Sequence, residues 1–221
     1  MLKAVVFDMD GTLGDTLPLC VESFTRCVEE HTGQRLSEAE VTAPFSVSDR
    51  GILGALLGLH PDAPELPISR FVEIYEELHP QYAPAPFPGV VETLHRLRDS
   101  GLRLALLTGK EAYTALPTLR HFGLQDLFEE KLYGLPTHNC KAERLAELMQ
   151  RWQLAPEELI YIGDAPSDIE HSHRVGIRII SAAWSPHVEN DPAEDTTPDF
   201  RLTSLSQLEP LIASLRRHSG Q

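Results

Sequence analysis

Apolar residues along this chain fall into two kinds of pattern. Short β-branched runs that end in polar loops recur at 2–7 (LKAVVF), 102–108 (LRLALLT), 159–164 (LIYIGD) and 177–182 (IRIISA), with EEKLYG at 129–134 a weaker fifth. Continuous apolar runs of this length suit strands covered on both faces. Between them, helical spacing occurs at 89–100, 111–122, 141–152 and 167–175, and a last helix is expected over roughly 204–217. Strands alternating with helices predict an α/β fold, a doubly wound parallel sheet with helices on both faces. Ligands on such sheets bind beyond the carboxyl ends of the strands, near the point where strand order reverses.

The stretch after the first strand departs from this rhythm. Residues 15–82 hold no convincing buried strand, and helical patterns occupy 16–32, 37–43, 48–58 and 67–82. Gly33, Pro44, Pro61, Pro64 and Pro67 separate them, and the Pro-rich APAPFPG at 83–89 leads back to the alternation. The pattern predicts a helical insert, 15–84, in an α/β core made of 1–14 and 85–221. The connections near 13–16 and 83–88 are the expected hinges.

Charge narrows the class of partner. Nineteen Lys and Arg against 33 Asp and Glu give a formal net charge of −14. That disfavours nucleic acid, which needs clustered cations along a phosphate backbone, and an anionic membrane surface. A small anionic substrate is compatible, because a metal ion and a few basic groups can reverse the field inside one pocket. The three cysteines, Cys20, Cys27 and Cys140, form no CxxC, and a reduced, cytoplasmic chain is expected. Cys20 and Cys27 are seven apart and read as packing residues on one helix face. No apolar stretch approaches a membrane span, and Asp8 and Asp10 interrupt the AVVF run well short of a signal peptide.

Chemistry concentrates at four places, each at a strand end or the helix start beside it. In VVFDMDGTLGDT (5–16), Asp8 and Asp10 point the same way from an extended segment. Two such carboxylates repel unless a cation lies between them or one is protonated. An acid-rich turn that merely caps the strand is the plainer reading. In LLTGK (106–110), the Thr108 hydroxyl and the Gly109 N–H offer a phosphate-sized anion site. Leu104 and Glu111 stand where a nucleotide-binding P-loop needs Gly and Ser or Thr, so that motif is rejected. Lys110 reads as a surface residue. Lys141, one of four lysines, starts a helix, where a cation opposes the macrodipole unless an anion compensates it. In YIGDAPSDIEH (161–171), Asp164 and Asp168 are spaced to hold a hard cation through oxygen atoms, as magnesium prefers. His171 and His173, two apart, read as surface histidines, and Trp184 as a residue packed near the site. Paired acids, a hydroxyl and a lysine on one edge of one sheet are the equipment of phosphoryl transfer.

With these motifs in hand, DMDGTL at 8–13, LLTGK, Lys141 and GDAPSD in that order, the chain resembles the haloacid dehalogenase superfamily. The likeness covers nearly the whole chain and points to phosphatases with a helical cap, phosphoglycolate phosphatases among them. It implies a Rossmann-like core with an inserted α-helical cap domain. It implies Asp8 as the nucleophile that forms an aspartyl-phosphate and Asp10 as the general acid and base. It implies Mg2+ held by Asp8, the Asp10 main-chain carbonyl and Asp164, with Asp168 fixing a water of the ion or orienting Lys141. Thr108, Gly109 and Lys141 would bind the phosphoryl oxygens of a small phosphorylated metabolite. Arg50, in FSVSDRGIL (45–53), would face the rest of the substrate. Gly14, Gly109 and Ala142 depart from the common family pattern without removing a reacting group. A dehalogenase lacks the second aspartate, and a phosphonate hydrolase needs a cap lysine that 15–84 does not contain. A sugar-phosphate mutase and a non-catalytic binding module remain as alternatives. A monomer and a homodimer fit the sequence equally.

Overall fold

The computed structural model describes residues 1–188 and 197–218; 189–196 and 219–221, assigned above to the core, lie outside the described residues. The elements run β1 (Ala4–Phe7), α1 (Leu17–Thr32), α2 (Glu38–Thr42), α3 (Asp49–Leu57), α4 (Ile68–Tyr82), α5 (Val90–Asp99), β2 (Arg103–Leu107), α6 (Ala112–His121) and β3 (Glu130–Leu132). They continue with α7 (Lys141–Trp152), β4 (Leu159–Gly163), α8 (Pro166–Arg174), β5 (Arg178–Ala182), β6 (Phe200–Leu202) and α9 (Leu208–His218).

The strands form one sheet in the order β3-β2-β1-β4-β5-β6, with every neighbouring pair parallel. This is the doubly wound α/β arrangement that the apolar runs predict. β1 lies mid-sheet between β2 and β4, where the chain first winds one way and then the other. Its end is therefore the switch point at which such sheets bind ligands.

The alternation of β1 shows why its run is apolar throughout. Val5 and Phe7 join Leu104, Leu106, Ile160 and Ile162 in a core that includes residues of α1, α4, α5 and α9. Ala4 and Val6 join Ala105, Leu107 and Tyr161 in a second core closed by Leu145, Leu148 and Trp152 of α7 and Ile169 of α8. Truncating a side chain such as Phe7 to Ala would cost about 3–5 kcal/mol.

Of the helices between β1 and β2, α1–α4 pack largely on one another, whereas α5 packs on β2. α1 and α4 bring Phe24 and Phe71 into a stack with ring centroids 4.5 Å apart. α2 carries a full capping box, Ser37 with Glu40, which fixes where this short helix starts. β6 is a strand that the sequence pattern does not announce. Three residues, with Arg201 exposed between Phe200 and Leu202, are too few to carry a period.

Candidate active site

Four strand ends and helix starts deliver the expected residues to one cavity of about 290 Å³. Asp8 follows β1, Thr108 and Gly109 follow β2, Lys141 opens α7 and Asp164 follows β4; all five line the cavity together with Asp10. Arg50 is not among the lining residues. Its guanidinium lies 3.6 Å from Glu111 and 3.9 Å from Asp62, and its neighbours Ser48 and Asp49 face the cavity instead.

The turn after β1 is tight. Thr12 N–H and Leu13 N–H donate to Met9 O, and Gly11 N–H donates to Gly14 O. Gly11 has φ +71°, and a Cβ there would overlap the Asp164 carboxylate. Only glycine lets the Asp8–Asp10 turn lie this close to the β4 loop.

Lys141 is the electrostatic centre. Its Nζ lies 2.5 Å from Asp168 Oδ1 and 3.1 Å from Asp8 Oδ2, which supplies the anions that a lysine at a helix start requires. Burial alone would lower the lysine's pKa, but Asp168 and then Asp8 outweigh it and hold the ammonium well above its ordinary value. Asp168 is wholly buried and has its own partners. Oδ1 also accepts from Tyr161 OH at 3.2 Å, and Oδ2 accepts from Ala165 N–H at 3.1 Å.

Asp8 and Asp164 are less well served. Asp8 Oδ1 is buried and has no hydrogen-bond partner among the described residues. Burial pushes its carboxyl well above the usual range, Lys141 pulls the other way, and the Asp168, Asp164 and Asp10 charges add to the rise. Asp164 is pushed up to about 7, first by burial and then by Asp168. Carboxylate oxygens of Asp8, Asp164 and Asp168 lie within 4.8 Å of one another. A hard divalent cation suits this all-oxygen set, since it would satisfy the orphaned Asp8 oxygen and offset the mutual repulsion.

Asp10 is held from the insert side. Thr16 Oγ1 donates to Asp10 Oδ1, and Lys110 Nζ lies 3.5 Å from the same oxygen. Lys110 is a correction to the sequence reading: it is 4% exposed, not a surface residue. Its ammonium donates to Cys20 Sγ at 2.9 Å and lies 4.8 Å from the centre of the Tyr75 ring. Helices α1 and α4 cover it, a tertiary effect that no local pattern around residue 110 carries. The scarcity of lysine is the one signal that could have raised it.

Asp49, at the start of α3, was also missed. Its buried carboxylate accepts from Glu111 N–H at 2.9 Å and from Thr114 Oγ1, so it caps α6 from another element. Ser48 Oγ donates to Glu111 Oε1 at 2.5 Å and Ser48 N–H to Leu135 O at 3.0 Å. An Asp at the first position of a helix reads as an ordinary dipole partner, and nothing in the sequence points it at residue 111. His171 is buried on the inner face of α8, again against expectation, whereas His173 is exposed and pairs with Asp199. Trp184 Nε1 donates to Thr12 O at 3.1 Å, in the turn after β1.

The chain is similar along nearly its whole length to known phosphatases and pyrophosphatases. A putative pyrophosphatase PpaX of Caldanaerobacter subterraneus is 28% identical over 96% of this chain and 94% of that protein. An N-acetylmuramic acid 6-phosphate phosphatase of Pseudomonas aeruginosa is 29% identical over 87% of each. The crystal structure of a predicted phosphoglycolate phosphatase from Haemophilus somnus superposes with a TM-score of 0.75 at 22% identity, covering 96% of this chain and 98% of that one. The family described as haloacid dehalogenase-like hydrolase matches residues 5–182, from the first strand to the end of β5. The motifs and the residues of the site fall within that span, and the chain belongs to the haloacid dehalogenase-like hydrolase family.

Proposed function

We propose that this chain is a phosphatase that hydrolyses phosphate monoesters of small metabolites through an aspartyl-phosphate on Asp8. The observation that carries the reading is the buried Asp8 carboxylate, with one oxygen beside the Lys141 ammonium and the other without a partner.

An oxygen of Asp8 attacks phosphorus, and the bond from phosphorus to the leaving oxygen breaks as Asp10 gives that oxygen its proton. Asp10 then takes a proton from water as the water attacks phosphorus, the bond to Asp8 breaks, and inorganic phosphate leaves. Lys141 and the Thr108 and Gly109 groups neutralise and grip the phosphoryl oxygens. Asp168 and Tyr161 hold Lys141 in place for this task. Asp8, Asp164 and the Asp10 main-chain carbonyl are the groups that would hold Mg2+, which supplies charge neutralisation at the phosphoryl group. Residues 15–84 act as the cap, since α1, α3 and the segment before α3 line the cavity opposite the catalytic turn. Phosphoglycolate and pyrophosphate, which the names of relatives carry, belong in the panel of compounds tried.

Turnover of p-nitrophenyl phosphate, measured with and without Mg2+, tests the reading, with Asp8→Asn as the control. The expected result is Mg2+-dependent release that the substitution abolishes. Activity that survives in Asp8→Asn would reject Asp8 as the nucleophile.

A further inference from the structure

Beyond the phosphoryl site much of the cavity wall is apolar, with Ser46, Ser48 and Asn139 among the uncharged polar side chains that line the cavity. Leu17 and Phe24 of α1, Phe45 and Val47 ahead of α3, Ile52 of α3 and Leu135 of the core face it. Phe24 is fixed between the Phe71 stack and a tilted contact with Phe45, ring centroids 5.9 Å apart.

Among the described residues that line the same region, each lysine and the histidine already has an anionic neighbour. Among the described residues that line the cavity, the lysines are Lys141 and Lys110. Lys141 is committed to Asp8 and Asp168. Lys110 is committed to Asp10, and burial leaves its ammonium almost no open surface. Arg50 turns to Glu111 and Asp62. His138 reaches the rim, where its Nε2 lies 2.8 Å from Glu143. Asp49 adds a buried carboxylate to the wall.

A leaving group with its own carboxylate or phosphate would shed its hydration here and meet, among the described lining residues, no lysine without an anionic neighbour. An uncharged, carbon-rich leaving group would displace water from apolar surface and gain by doing so. Resting on the phosphatase reading above, we infer that the preferred substrates are phosphate monoesters of uncharged, carbon-rich alcohols, and that esters carrying a second anionic group are disfavoured.

The test is a comparison of kcat/KM, with Mg2+ present, for four compounds: benzyl phosphate, propyl phosphate, phosphoglycolate and inorganic pyrophosphate. Propyl phosphate and phosphoglycolate are close in size and differ chiefly in the carboxylate. Benzyl phosphate is expected first and propyl phosphate second, with phosphoglycolate at least about 10-fold below propyl phosphate. Val47→Lys, which puts a cation on a half-buried wall position, should move the phosphoglycolate-to-propyl ratio up by about 10-fold or more. Phe45→Lys serves the same purpose should the first variant not fold. A preference of the unaltered enzyme for phosphoglycolate or pyrophosphate over both neutral esters would overturn the inference while leaving the phosphatase reading intact. An unchanged ratio in a folded lysine variant would overturn the assignment of this wall to the leaving group. Failure to hydrolyse all four compounds and p-nitrophenyl phosphate would overturn the phosphatase reading itself.

Discussion

The Lys141 ammonium and the Asp168 carboxylate meet at 2.5 Å inside the protein, with Asp168 wholly buried. A buried pair of this kind stabilises little net, because both partners lose their hydration, but it fixes geometry. Removing one partner strands the other. Lys141→Ala leaves Asp8 and Asp168 as adjacent buried carboxylates and should destabilise the protein by about 3–5 kcal/mol. Asp168→Asn keeps the shape and removes the charge that orients the lysine. It should lower kcat by about 10–100-fold, as loss of such an orienting partner does in comparable sites. Thermal melts and steady-state kinetics on both variants check this; a kcat unchanged in Asp168→Asn would show that Asp8 alone positions Lys141.

Lys110 and Thr16 hold Asp10 from the insert side. Lys110→Met should reduce kcat by about 10-fold or more, with a smaller change in KM, since it disturbs Asp10, the proposed proton carrier, rather than the proposed phosphoryl contacts. A variant with unchanged kcat and raised KM would instead assign Lys110 to the substrate.

A divalent ion should act on stability as well as rate. At 100 times its dissociation constant, Mg2+ should raise the unfolding free energy by about 2.7 kcal/mol. Asp164→Asn should suppress the corresponding rise in Tm. Scanning calorimetry across a Mg2+ titration reads this, and an equal rise in the variant would place the ion elsewhere.

His79 predicts a pH effect away from the catalytic residues. Its side chain is buried on α4, with Nε2 3.1 Å from Thr118 Oγ1 of α6 and Nδ1 without a partner among the described residues. Burial, then the neighbouring His121, lowers its pKa from 6.5 to about 4. Between those values the unfolded chain binds the proton and the folded one does not, so folding stability rises with pH there. The contribution of His79 should be complete above about pH 6.5 and fade as pH falls toward 4. Tm measured across that interval should fall less steeply in His79→Gln than in the unaltered protein. Identical slopes would contradict the assignment.

Much of this was legible in the chain because local pattern and tertiary demand coincide. Strand runs such as LIYIGD are buried on both faces, so their apolarity survives any detail of packing, and β4 spans Leu159–Gly163. The expected helix 141–152 matches α7 at both ends. Lys141 was suspicious because a cation at a helix start needs an anion, and the anions are there. What stayed hidden depends on elements distant in sequence. Lys110 looks solvated beside Gly109, and only α1 and α4, arriving from 20–75 in the chain, bury it. Arg50 was expected to face the substrate from its place in the resemblance; its guanidinium lies 3.6 Å from Glu111, 61 residues away in the chain. β6 lies next to β5 without any period of its own, since it is three residues long.

The central claim is that Asp8 becomes phosphorylated. Enzyme mixed with excess substrate and Mg2+, quenched in acid within one turnover and digested, should yield a phosphoryl group on the peptide containing Asp8, and none in Asp8→Asn. Label on a different residue, or steady turnover with no labelled enzyme and full activity in Asp8→Asn, would contradict the account.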